Sequence, residues 1–466
     1  IHDHTRTAAD DDTVRAIILM CGGRTFFAGA DIRELGKPIK PPLLRDIMVV
    51  IEASSKPVIA AMHGSALGGG FELALACHYR VALPSTSVGL PEAALGLLPG
   101  AGGTQRVPRL AGVAAAIDMI VRGRTFRAAE AQDTGLIDAV IEGNDLEAGA
   151  IAYARTLIAD EAPLRRVRDL PTDLDADRIG ALLMDFRARH PELFRNLKAP
   201  ENILRAIEAA VTLPFDDGLA REAELCRGLA ASPESAAQRH IFFAERTAAK
   251  IPDDAFPESV GDEPIILSGD AEICTVVANQ IQKAGQDVTL TGAPATWDRT
   301  PVGAVGLHVP APEANDRVVE VVRTIQSPAP ALAAVIRAIR KAGRIPVVAM
   351  GSHGLIVSRM IDAGRRAFRM AVAEGTDAHT LEAALQDLDF PTGLFSGMDH
   401  VSPSGKPSTP SPAPGTVMAA VSDEGKAILD AGIAWRASDI DVALVRAGVW
   451  PLHTGGPLYW AQNAPP

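Results

Sequence analysis

An α/β protein built from more than one domain is the expectation, and three observations carry it. Short apolar runs alternate with helix-like segments through the first third, Gly-containing loops join each run to its helix, and 466 residues exceed what one ordinary core organises. Hydrophobic residues at 47% and charged ones at 22% describe a globular chain. A formal net charge of −12 argues against a nucleic-acid partner, whose phosphates need clustered Lys and Arg, while leaving room for one local basic patch and an anionic cofactor. Even the apolar stretch from Pro57 to Leu83 is broken by His63, Glu72, His78 and Arg80, so no membrane span is expected. Cys21, Cys77, Cys226 and Cys274 lie far apart with no CxxC pair, which predicts reduced thiols, no metal and a cytoplasmic setting. No signal peptide is visible, and Ala464, Pro465 and Pro466 do not form a peroxisomal tripeptide.

The elements follow in order. Val14–Met20 (VRAIILM) and Pro57–Met62 (PVIAAM) read as buried strands, and a helix starts near Phe71. From Leu146 to Lys250 the pattern turns helical and highly charged, and Pro252 and Pro257 punctuate its end. Pro264–Leu267, a helix over Ala271–Ala284 and Asp287–Leu290 form a short βαβ pattern, and Pro346–Met350 reads as a later strand. The remainder is helical apart from Ser402–Pro414, whose five prolines and four serines predict an extended loop.

Two segments, RTFFAGADIRE (24–34) and KPVIAAMHGSALGGGFELAL (56–75), carry the chemistry. Gly68, Gly69 and Gly70 leave backbone N–H groups bare at a helix start, where the dipole favours developing negative charge. Similar bare backbone occurs around Ala28, Gly29 and Ala30, and two converging N–H groups make an oxyanion hole. Glu72 in an apolar helix and Glu92 after Pro91 are lone acids. Each has a bland reading, a macrodipole partner worth about 0.3–1 kcal/mol for Glu72 and a solvated loop carboxylate for Glu92. As a pair beside glycine-rich turns they suit one acid and one base. PGAGGTQR (99–106) lacks the GK[ST] ending of a phosphate loop and reads as a structural turn.

FAGAD, GSALGGGFELAL and PEAALGLLPGAGGTQR, in that order, closely resemble the enoyl-CoA hydratase/isomerases of the crotonase superfamily, over about Asp11 to Ile141. The resemblance implies a crotonase fold, a ββα spiral, and a CoA thioester as substrate. It implies that the N–H groups of Ala30 and Gly69 polarise the thioester carbonyl, with Glu72 as water-activating base and Glu92 as acid, the exchange of roles left open. It also implies CoA contacts from the Ala28 backbone and from Arg33. The family places a strand and a helix before the strand matching VRAIILM, where only thirteen residues precede Val14 here.

Residues 213–252 resemble the linker that joins hydratase to dehydrogenase in multifunctional β-oxidation enzymes, and the chain beyond resembles a shortened 3-hydroxyacyl-CoA dehydrogenase. His308 and Glu320, twelve residues apart, match that family's catalytic pair, and a carboxylate orienting an imidazole base is sound chemistry. Ser358 stands where the family has asparagine. The expected GxGxxG is represented only by Gly269, with Ser268, Asp270 and Ile273 at the motif's places and Thr291 or Gly292 where a ribose-binding acid belongs. With 39 residues between Gly269 and His308, the NAD site reads as absent or vestigial.

The domain expectation is therefore a crotonase domain over 1–195, a helical linker over 196–260, a remnant Rossmann-like region over 261–349 and a helical dehydrogenase-like domain over 350–466. The leading functional reading is a 2-enoyl-CoA hydratase of fatty-acid β-oxidation, with isomerase activity available to the same carboxylates. A bifunctional hydratase and NAD-dependent dehydrogenase ranks second, and a non-catalytic acyl-CoA-binding subunit third. The resemblance also implies self-association or a thiolase partner.

Overall fold

The computed structural model describes residues 1–27, 29, 40–252, 265–291, 303–310, 317–324, 327–350, 355–397 and 413–463. It divides into two compact units, Ile1–Ser235 and Ala236–Pro466.

In the first unit, β1 (Ile17–Leu19), β2 (Val58–Met62), β4 (Tyr79–Ala82) and β7 (Ala139–Val140) form a parallel sheet in the order β1-β2-β4-β7. A second sheet contains β3 (Ser65–Leu67), β5 (Ser87–Gly89) and β6 (Phe126–Arg127), with β3 parallel and β6 antiparallel to β5. All five residues of β2 are buried, as an interior parallel strand covered on both faces requires.

Consecutive strands change sheets. The chain leaves β2 at Met62, turns at Gly64 and enters β3. Gly64 has φ +62°, and a Cβ there would lie 2.4 Å from the Arg24 carbonyl oxygen, so the turn admits only glycine. Helix Gly69–Ala76 then returns the chain to β4, from which β5 and the helix Gly103–Ala116 repeat the circuit. Each ββα turn thus gives one strand to each sheet, which is the spiral of a crotonase fold.

This topology decides where the acids fall. β3 and β5 are parallel neighbours, with Leu67 opposite Gly89, and Gly68 N–H donates to the Gly89 carbonyl at 3.0 Å. The segments leaving those strands therefore emerge at the same sheet end. One carries Glu72 and the other Glu92.

Helices Leu146–Ala159, Ala176–Arg189, Lys198–Thr212 and Phe215–Ala230 complete this unit. The stretch expected as a linker from 196 thus begins with two helices inside the first unit. Gln105 Nε2 donates to the Ala206 carbonyl at 2.9 Å, tying Lys198–Thr212 to the helix at Gly103.

The second unit holds β8 (Ile265–Gly269), β9 (Val288–Thr291), β10 (Val305–His308), β11 (Val318–Arg323) and β12 (Ile345–Met350) in the order β12-β11-β10-β8-β9. β8 runs parallel to β9 and β10, β10 antiparallel to β11, and β11 parallel to β12. One βαβ turn survives, through helix Ala271–Gln282, before the chain reaches the strand beside β8, a shortened Rossmann-like arrangement. Ile273, Val277 and Ile281 of that helix and Leu332, Val335 and Ile339 of helix Ala329–Lys341 share one apolar core with the sheet.

Five further helices, among them Ile356–Ala373 and Ala413–Asp430, build a second core around Met360, Phe368, Val421 and Trp450. The proline- and serine-rich run lies outside the described residues except for Ala413 and Pro414, which open a helix instead of ending an extended loop. Among the described residues no helix is long and apolar enough to cross a membrane.

Candidate functional site

Gly68 precedes helix Gly69–Ala76 with φ +55° and ψ −135°, so the chain turns sharply and Gly69 N–H is left at the helix start. A Cβ built on Gly29 would sit 3.6 Å from Gly69 N and 3.2 Å from the Leu67 carbonyl oxygen, so the Gly29 backbone lies against this helix start. Ala28, Ala30 and Arg33 lie outside the described residues. A Cβ on Gly70 would fall 2.2 Å from the Phe27 carbonyl oxygen, and the missing side chain permits this close approach.

Glu72, one turn into the helix, is buried at 3% exposure. Its Oε1 accepts from Ala101 N–H at 2.7 Å and Gly103 N–H at 2.8 Å. Burial raises the Glu72 carboxyl above its ordinary range, while those two amides and the charges of Arg106 and Arg45 favour the anion. Glu92 opens the short 3-10 turn Glu92–Leu95. Its Oε2 is sealed from solvent and has no hydrogen-bond partner among the described residues. Burial first, and the neighbouring Glu72 charge second, push its carboxyl up to about 8. At neutral pH Glu92 therefore carries the proton. Glu72 is the carboxyl with backbone donors aimed at it.

The pair lies against uncovered backbone. A Cβ on Gly68 would come within 2.9 Å of Glu92 Oε1, and one on Gly103 within 3.0 Å of Glu72 Oε1. The expected turn at Pro99–Gly102 is structural in this sense: its N–H groups face carboxylates and not a phosphate.

A third acid completes the cluster, and the sequence reading passed over it. Glu222 on helix Phe215–Ala230 is fully buried and accepts from Gly102 N–H at 2.8 Å, Thr104 N–H at 3.2 Å and Thr104 Oγ1 at 2.6 Å. Arg45 donates to it at 3.1 Å. Burial, and then the Glu72 charge, raise it to about 7. A signal was available: Phe215, Gly218, Glu222, Leu225 and Leu229 are the buried face of this helix, at three- and four-residue spacing. An acid within such a stripe is buried, not solvated.

The raised carboxyls have a consequence for stability. A carboxyl whose folded pKa exceeds its unfolded value binds more proton when folded, so stability is lost as pH rises from about 4.3, the unfolded value, towards the folded value, about 8 for Glu92. The melting temperature of the protein falls across this window, and Glu92→Gln flattens the fall. Calorimetry at several pH values checks this; identical slopes for the two proteins would remove the buried acid from the account.

In the second unit His308 and Glu320 face each other across β10 and β11 and share one sheet face. The expected imidazole–carboxylate bond is not made. Glu320 Oε1 accepts from Val357 N–H at 3.0 Å, at the start of helix Ile356–Ala373, and its buried Oε2 has no partner among the described residues. Burial pushes Glu320 up to about 7 and lowers His308 against the opposing charge of Asp270. Ser358 is exposed on the first turn of the same helix.

The dinucleotide position does not fit NAD. Gly269 ends β8 with φ +119°, and Asp270 caps helix Ala271–Gln282 by accepting from Glu272 N–H at 3.2 Å. A carboxylate therefore occupies the helix start that a pyrophosphate needs. At the end of β9, the Thr291 hydroxyl is buried without a partner among the described residues, where a ribose-binding acid belongs. Gly292 lies outside the described residues.

Comparison with known proteins accords with this division. The family described as enoyl-CoA hydratase/isomerase matches residues 3–232. The peroxisomal bifunctional enzyme of Danio rerio is 42% identical over 246 residues, covering 52% of this chain and 33% of that protein. The glyoxysomal fatty acid beta-oxidation multifunctional protein MFP-a of Cucumis sativus is 35% identical over 265 residues, covering 54% of this chain and 36% of that protein. The chain thus matches about a third of the length of these relatives. An enoyl-CoA hydratase crystal structure from Bacillus anthracis is 32% identical and covers 53% of this chain and 84% of its own, with a TM-score of 0.32. The likeness to the enoyl-CoA hydratase/isomerase family is thus carried by residues 3–232.

Proposed function

We propose that the protein hydrates 2-enoyl-CoA thioesters in fatty-acid β-oxidation, with Glu72 and Glu92 as the reacting acids. One observation carries the reading: two carboxyls at neighbouring strand ends lie beside bare glycine backbone, Glu72 accepting from two backbone N–H groups and Glu92 pushed up to about 8. Gly69 N–H, and Ala30 N–H by the family resemblance, polarise the thioester carbonyl. Glu72 takes a proton from water as its oxygen bonds to C3. Glu92 gives its proton to C2, and the electron pair of the 2,3-double bond forms the new C2–H bond through the enolate. Among the described residues the Glu92 proton has no acceptor to divert it. The same two acids support isomerase chemistry by moving a proton between C2 and C4. CoA contacts from the Ala28 backbone and Arg33 belong to this reading.

The fourfold division at 195, 260 and 349 is kept as a proposal. So are self-association or a thiolase partner, which sedimentation of the protein alone and with a thiolase tests. A cytoplasmic setting is supported by four free cysteines; peroxisomal and glyoxysomal are names of the relatives.

A bifunctional hydratase and dehydrogenase is the second reading, favoured by the facing positions of His308 and Glu320. The carboxylate cap at Asp270 weighs against it. The protein, offered an enoyl-CoA series with and without NAD, consumes the enoyl absorbance equally in both cases and forms no NADH. NADH formation would restore the bifunctional reading. CoA-thioester binding without turnover would leave a non-catalytic subunit.

A further inference from the structure

Four consecutive backbone N–H groups, those of Ala101, Gly102, Gly103 and Thr104, are divided alternately between two buried carboxylates. Ala101 and Gly103 donate to Glu72 Oε1. Gly102 and Thr104 donate to Glu222 Oε1 and Oε2. Gly102, at φ +103°, supplies the left-handed turn that opens the helix Gly103–Ala116. Four N–H groups at one helix start attract anions strongly, and two like charges sharing them raise each other's proton affinity.

We propose that Glu222 is a positioning residue for the Glu72–Glu92 centre, holding Gly102 and Thr104 so that Ala101 and Gly103 present their N–H groups to Glu72. The proposal rests on the hydratase reading and deepens it, because Glu222 touches neither water nor thioester there. It works through the shared turn and through its charge.

The groups facing Glu222 fix the sign of the effect. Thr104 Oγ1 and Arg45, from helix Leu44–Ala53, stabilise its anion. Glu72 and Glu92 oppose that anion, and Cys226 lies one turn along its own helix. Arg106 compensates Glu72. Both Glu222 oxygens accept, so an amide at this place keeps one acceptor and turns a donor towards an N–H group. Glutamine is therefore a disruptive replacement, and it also removes a like charge that opposes the Glu72 anion.

The test labels glutamate at the side-chain carboxyl carbon and follows each titration by NMR in the full chain, with Glu72→Gln assigning the Glu72 signal. In Glu222→Gln the Glu72 midpoint moves down by about one pH unit, and kcat for crotonyl-CoA falls about tenfold or more from the displaced turn while KM stays within about twofold. Thr104→Val, which removes one hydroxyl donor and leaves the helix face intact, raises the Glu222 midpoint and lowers that of Glu72. It keeps the test open if Glu222→Gln does not fold. A structural glutamate would lower the melting temperature and leave the Glu72 midpoint unmoved, and an unmoved midpoint in the folded variants overturns the proposal. The titration does not depend on turnover. An inert wild-type protein with shifted midpoints would reject the hydratase reading alone, and an active one with unmoved midpoints the positioning role alone.

Discussion

Glu72→Gln and Glu92→Gln each lower kcat for crotonyl-CoA hydration by about 10²–10⁴-fold, the contribution of one placed acid or base, and leave binding of the CoA thioester within a few-fold of wild type. The two losses differ in origin. Glu92→Gln removes the proton that reaches C2, so solvent exchange at C2 is lost together with hydration. Glu72→Gln removes the acceptor for the water proton, and its amide would turn a donor towards the N–H groups of Ala101 and Gly103. That variant should therefore also lose stability, whereas Glu92→Gln should not, since the Glu92 Oε2 proton has no partner to forfeit. Steady-state kinetics with calorimetric binding measures both quantities. Turnover unchanged in both variants would end the two-carboxylate reading.

Arg106→Met is the second large effect, and it falls on stability. Arg106 donates through Nε at 3.0 Å and Nη2 at 2.8 Å to Glu52 Oε1, and the two side chains are only 3% and 5% exposed. Removing Arg106 leaves the buried Glu52 carboxylate with only the longer 3.7 Å contact to Arg168, at a cost of up to about 3–5 kcal/mol. The guanidinium also donates to the Ala101 carbonyl at 3.1 Å and lies 5.2 Å from the Phe215 ring centre. Its loss loosens the turn that serves Glu72 and removes a positive charge favouring that anion, so kcat falls as well. Urea unfolding reads the first effect. Adding Glu52→Gln to Arg106→Met recovers part of the stability by discharging the stranded carboxylate. A loss under about 1 kcal/mol in the single variant, the range of exposed pairs, would mean that the pair is solvated.

What was legible in the sequence followed from local rules. PVIAAM forms the fully buried β2, as a short apolar run predicts, whereas of VRAIILM only Ile17–Leu19 form a strand and all three are half-buried. The three glycines and the apolar run after them became the helix Gly69–Ala76 within two residues of its expected start. Glu72 and Glu92 stood out as lone acids in apolar surroundings. Their pairing came from a family resemblance, since nothing local says that residues twenty apart meet. Glu222 was hidden for the opposite reason: in a helix dense with charge, one acid on the buried stripe looks like its solvated neighbours. At His308 and Glu320 the register of β10 and β11 places both on one sheet face, yet the carboxylate finds a nearer donor at Val357 N–H.

The sequence by itself determined the α/β class, the buried strands, the glycine-lined helix start and the acids available for proton transfer, because propensity and patterning act within a few residues. Tertiary structure alone decided the alternation of strands between two sheets, the meeting of Glu72 with Glu92, and the division of one helix start between Glu72 and Glu222. Each of those depends on which strands become neighbours and which groups lose water together. Burial energies and like-charge repulsion arise only once distant segments share a low-dielectric interior.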